Sequence, residues 1–229
     1  MLMPLIGTIV VHTRLFPLER SNEEFQDQTT RSKAAPLPVR RMLLAMAGYA
    51  GFGLCCFVYL PFLSAWMTER QASAAFIALV WVVLGTSICL SPVVWRRVFA
   101  HHASGVPLAL VMACVALGTA LPVVLPKGPV PLVSAAVFGL SVFMAPGAAT
   151  NFVPKNLPPA TWARAMSQFT LVFAVAQTAG PYGAGLAADL SGNIEVGLLG
   201  AAGLLVIGAA LALLQRPLDV ARPLQSHRP

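Results

Sequence analysis

The sequence predicts an all-α, polytopic membrane protein: a bundle of six transmembrane helices. Three observations point there. Apolar residues make up 57% of the 229-residue chain and charged residues only 10%, whereas a soluble domain carries roughly 25% charge. The charges cluster, leaving successive uncharged stretches of about 20 residues, enough to cross a hydrocarbon core about 30 Å thick. Alternation of apolar and polar residues is absent, which excludes an outer-membrane barrel. Backbone groups cannot stay unpaired in lipid, so each stretch must be a helix.

The elements follow in order. Residues 1–11 are apolar but too few to span. They lack the basic start of a signal peptide, and His12, Arg14 and Pro17 follow in place of a small-residue cleavage site. They read as an interfacial segment or the remnant of a truncated helix. Residues 13–41 are polar, with Glu19, Glu23, Glu24 and Asp27 before Arg31, Lys33, Arg40 and Arg41. This composition predicts a flexible linker, so 1–41 form an N-terminal segment and linker. Apolar segments then cover residues 42–66, 72–94, 106–125, 130–150, 163–188 and 196–215. Together they make a transmembrane domain over 42–215, and 216–229 form a tail.

Basic residues set the orientation. The linker, the loops after the second and fourth spans and the tail hold 13 of the 15 Lys and Arg residues. Arg96 and Arg97 follow the second span; Lys155 and Arg164 follow the fourth. Only Arg70 and Lys127 lie opposite. The positive-inside rule puts both termini in the cytoplasm, with a bacterial inner membrane as the expected location. The net charge of +7 therefore needs no nucleic acid to explain it.

The chemistry of the spans is sparse. No Asp, Glu, Lys, Arg or His stands at mid-depth, where such residues usually mark function. That leaves no ligands for an intramembrane metal or haem and no self-contained proton relay. Neither a nucleophile elbow nor a phosphate-cradling loop appears. An enzyme, a metal site and a cofactor are therefore not expected. Cys55, Cys56, Cys89 and Cys114 fall in apolar stretches and read as small buried hydrophobes. His101 and His102 read as solvated loop residues. Thr86, Ser87, Thr119, Ser134 and Ser141 are expected to bond carbonyls one turn back.

What remains is uncharged. The fifth span carries Gln177, an amide that needs a partner near mid-membrane. It also carries small-residue ridges, Ala176-Gly180-Ala184-Ala188 and Ala179-Gly183-Ala187, which favour close helix approach. Pro181 is expected to kink it, so Gly180, Pro181, Gly183 and Gly185 are candidates for packing or a hinge. In the first span Tyr49 and Tyr59 can present hydroxyls to a cavity, while Trp66 and Trp95 suit the membrane interfaces.

These stretches carry a resemblance. Tyr49-Ala50-Gly51-Phe52-Gly53 with Leu60-Pro61-Phe62-Leu63, Trp81 to Gly85 with Ser91-Pro92 and Trp95-Arg96-Arg97, and the fifth-span set Phe173, Gln177, Gly180-Pro181, Gly185 and Asp189 resemble the YbfB/YjiJ-like branch of the major facilitator superfamily. The similarity covers about 41–215 and corresponds to the C-terminal six-helix half of that fold. The loop after the second span keeps the basic pair Arg96 and Arg97 of the superfamily's gating motif but lacks its acidic residue.

The resemblance implies a secondary transporter of a small solute, with substrate near mid-depth between two halves. The second half would be another six-helix unit or a second copy. The cavity would be lined by the first, second, fourth and fifth spans, with Gln177, Tyr49 and Tyr59 as substrate contacts. The absence of charge suggests a neutral or weakly polar solute. The alternative is a truncated or non-transporting membrane protein that binds or regulates a partner.

Overall fold

The computed structural model describes residues 37–126 and 128–218. The apolar start, nearly all of the linker, Lys127 and the end of the tail lie outside the described residues. The described residues form eight α-helices and no strand: α1 Val39–Cys55, α2 Tyr59–Glu69, α3 Ala74–His101, α4 Val106–Val124, α5 Val130–Val142, α6 Met144–Asn156, α7 Trp162–Ser191 and α8 Ile194–Leu213. The first span is α1 and α2 in line, and the fourth is α5 and α6 in line. A helical membrane bundle results.

Local signals set several ends. The Ser73 hydroxyl caps α3 by accepting from the Phe76 N–H at 3.2 Å. Asn193 caps α8 by accepting from Glu195 N–H at 2.8 Å. Gly192, at φ 63°, closes α7 in the left-handed conformation that favours glycine. The second span runs to His101, so Arg96 and Arg97 stand in the last turns of α3 and not in a loop. Both are exposed.

Among the described residues, five helical units are long and apolar enough to cross a membrane: Val39–Glu69, Ala74–His101, Val106–Val124, Val130–Asn156 and Glu195–Leu213. The fifth span, α7, is long enough at 30 residues, but its Gln, Thr, Gly and Pro residues dilute its hydropathy. The helices pack in a spatial order unlike their chain order. α3 lies on α5, α5 on α4, α4 on α8, α8 on α1, and α1 on α7. α3 and α7 end this series without packing on each other, leaving between them a gap that α6, packed on both, bridges. In α3 only 22% of the most apolar stretch is buried, against 44–56% in the other four units.

The two ends of the bundle are tied differently. At the basic end, polar side chains stitch backbone to backbone. The buried Gln215 amide accepts from Ala45 N–H at 3.1 Å and donates to the Arg41 carbonyl at 3.0 Å. Asn156, also buried, donates to the Ala103 carbonyl at 2.6 Å and accepts from Leu218 N–H at 2.6 Å. Lys155 donates to the carbonyls of Phe99, Ala100 and His102, capping the C-terminus of α3. At the opposite end Glu195 accepts from Arg70 at 2.7 Å and from the Trp66 indole at 3.2 Å. The Arg70 guanidinium also stands 4.3 Å from the Trp66 ring centre. This clamp joins the end of α2 to the start of α8.

Candidate functional site

Two spans are interrupted at mid-length, and both interruptions follow from proline. Pro61 has no N–H to give Phe57, so the chain turns at Cys56–Val58. The turn is closed by Val58 N–H donating to the Cys55 carbonyl at 3.1 Å. Pro146 likewise leaves the Val142 carbonyl unserved, and the fourth span breaks at Phe143. There the Trp95 indole donates to the Leu140 carbonyl at 2.7 Å.

Between the two breaks lies a cavity of about 200 Å³. It is lined by Phe52, Cys56, Phe57 and Leu60 of the first span, Leu84 and Ile88 of α3, Phe138, Val142, Phe143 and Pro146 of the fourth span, and Phe173 of α7. All stand near the middle of their spans. Phe57 and Phe143, one at each break, are 41% and 53% exposed. No charged or amide side chain reaches the wall. Interrupted helices at membrane depth are tolerated where they border a cavity or are buried in protein, and such breaks are where transporters place their binding sites.

The tyrosines stand behind this wall. The Tyr49 ring is buried against Phe173 (centroids 5.3 Å), Phe52 (6.1 Å) and Phe169 (5.7 Å). Its hydroxyl has no hydrogen-bond partner among the described residues. Tyr59 is fully buried. Its ring stacks on Phe138 at 3.9 Å, and its hydroxyl is bonded to Ser134 at 2.6 Å. Ser134 donates in turn to the Gly118 carbonyl at 2.6 Å. This corrects two expectations. The Tyr59 hydroxyl is committed to the core and not presented to a cavity, and Ser134 bonds across helices. Thr86 and Thr119 do bond one turn back, to Val82 and Val115, each at 2.9 Å. Trp66 and Trp95 are both buried, so they pack and bond inside the bundle.

Gln177 is half-buried and has no hydrogen-bond partner among the described residues. It lies one helical turn beyond Phe173, on the same face of α7, but does not itself line the cavity. The glycines of α7 divide sharply. A methyl group at Gly180 would sit 1.7 Å from the Leu54 carbonyl oxygen, so α7 and α1 touch backbone to backbone there. At Gly183 and Gly185 nothing stands within 4 Å, so neither is a close-packing position. The α-helix also continues through Pro181; the interruptions lie in the first and fourth spans instead.

Sequence reasoning missed the aromatic wall, since its five phenylalanines come from three spans. It also missed Asn156, which falls in the loop after the fourth span as read from sequence, and Gln215, which reads only as the polar end of the sixth.

The family model described as "Uncharacterised MFS-type transporter YbfB" matches residues 2–213. No curated protein gives a significant match, and no solved structure does. With nearly the whole chain matched, and with apolar spans bordering a mid-depth cavity, the protein belongs to the YbfB-type family of MFS transporters.

Proposed function

We propose that the chain moves a small, uncharged solute across a bacterial inner membrane as one six-helix half of a rocking transporter. The cavity between the two helix breaks is the observation that supports this most directly. It stands at mid-depth, opens toward the side left free between α3 and α7, and carries no charge. The other wall comes from a second six-helix unit or a second copy packed on that open side. α3 and α7 are its natural seat, because α3 is the least buried of the five most apolar units, and α7 buries few of its residues and offers the unpartnered Gln177. In this reading Gln177, and the free hydroxyl of Tyr49, supply polar contact beside an apolar wall. Tyr59 supports that wall through Phe138 and Ser134. Both termini are cytoplasmic, and Arg96 and Arg97 meet the second half at the inner surface.

The test is accumulation of a panel of labelled neutral solutes in cells expressing the full chain. Ile88→Trp, which fills the cavity, is expected to abolish accumulation of any positive solute while leaving the amount of protein in the membrane unchanged. No accumulation or exclusion of any solute, or full activity in the Ile88→Trp variant, would overturn the reading. A green fluorescent protein fused to the C-terminus is expected to fluoresce; a dark, translocated fusion would reverse the topology.

A further inference from the structure

We infer that the mid-depth cavity selects a neutral aromatic ring, a statement of substrate class that rests on the transport reading above. Five of its lining residues are phenylalanines: Phe52, Phe57, Phe138, Phe143 and Phe173. Their rings are pre-arranged. Phe52 and Phe173 stack at 5.9 Å and 21°, held from behind by Tyr49. Phe138 is fixed from behind by Tyr59 at 3.9 Å and 19°. Phe52 and Phe138, 2% and 1% exposed, are therefore the buried backing of the wall, and the half-buried ring of Phe173 with the exposed rings of Phe57 and Phe143 at the breaks gives its accessible aromatic surface. Aromatic pairs in offset or edge-to-face geometry gain more than their buried area alone provides, so the wall favours a flat ring over an aliphatic one of equal size.

The absence of partners fixes the charge. Ring faces also attract cations, but a cation entering here would lose its water with no carboxylate on the wall to replace it. A neutral ring loses nothing comparable. The only side-chain heteroatom among the lining residues is the Cys56 sulfur, which lies 3.6 Å from the Gly53 carbonyl. Polar groups of the solute must therefore point away from the wall, toward the open side.

The test is equilibrium binding of radiolabelled benzamide to the full chain in lipid nanodiscs, with empty nanodiscs as blank. Saturable binding is expected, displaced by unlabelled benzamide but not by a tenfold higher concentration of cyclohexanecarboxamide. Benzyltrimethylammonium is expected not to compete. Phe57→Leu with Phe143→Leu should weaken binding roughly tenfold, while Leu171→Ala on the outer face of α7 leaves it unchanged. Absence of saturable binding, equal displacement by the cyclohexyl compound, or displacement by the quaternary ammonium would each overturn the inference. Because binding is read without transport, ring-selective binding in a chain that accumulates nothing would sink the transport reading and leave the aromatic selectivity standing.

Discussion

The middle of the bundle and its basic end are held by opposite kinds of force. Around the cavity the chain relies on shape: rings against rings, and α7 laid on α1 through Gly180. Apart from the Tyr59–Ser134–Gly118 chain and the Trp95 indole, few polar bonds cross between helices there. At the basic end Gln215, Asn156 and Lys155 bond across the chain to backbone groups at helix ends. The difference teaches where motion is possible. Packing contacts can slide and re-form at little cost, whereas a buried amide bonded to two backbones must break both bonds before anything moves. The basic end is the fixed frame, and the cavity wall is the part free to adjust.

The sharpest test of this contrast is Gly180→Ala. The added methyl meets a backbone oxygen, which no rotamer change can move aside. The expected cost is about 1–3 kcal/mol or more, read as a large fall in the melting temperature of the detergent-solubilised protein. Gly183→Ala gains the same helix propensity in open space, so its melting temperature should not fall. Equal losses in the two variants would mean that shape is not what joins α7 to α1.

Gln215→Leu probes the frame. It keeps the approximate size of the side chain but leaves the Ala45 N–H and the Arg41 carbonyl without it. A loss of about 1–3 kcal/mol is expected. An unchanged melting temperature would show that the amide is dispensable and the frame is also held by packing. Ser134→Ala asks the converse question within the core. Removing the partner of Tyr59 should cost about 0.6–1.7 kcal/mol, the range for bonds between helices in a membrane. A larger loss would show that the cavity wall depends on polar bonds as much as the frame does.

Glu195→Gln should do least. The Arg70–Glu195 pair is partly exposed, and such pairs contribute less than about 1 kcal/mol. Its small effect should shrink further at high salt. A salt-independent loss would mean that the Trp66 bond, and not the ion pair, secures α2 to α8.

Much of this architecture is legible in the sequence because hydropathy is a local property. The spans needed only runs of apolar residues to be found. The helix breaks were harder, since the effect of a proline depends on what receives the freed backbone. At Pro61 a tightened turn closes the gap, and near Pro146 the Trp95 indole bonds a freed stretch of backbone from another helix. Pro181 looks the most disruptive in sequence, yet it follows Gly180, whose contact with Leu54 keeps α7 seated as a continuous helix. The site was less legible still. Phe52, Phe138 and Phe173 are ordinary apolar residues until three spans meet. Gln215 reads as the polar end of a helix until Ala45, 170 positions away, is found beside it.

The polarity of α7 bears on how the protein is made. A segment with Gln168, Gln177, Pro181 and three glycines partitions from the translocon into lipid less readily than its neighbours. The next helix, α8, is the most apolar of the five units at a mean hydropathy of 2.4, and only the turn at Gly192–Asn193 separates the two. α7 should therefore enter the bilayer as a hairpin with α8, not alone. Glycosylation mapping in microsomes can show this: α7 by itself is expected to insert poorly, and α7 followed by α8 to insert well.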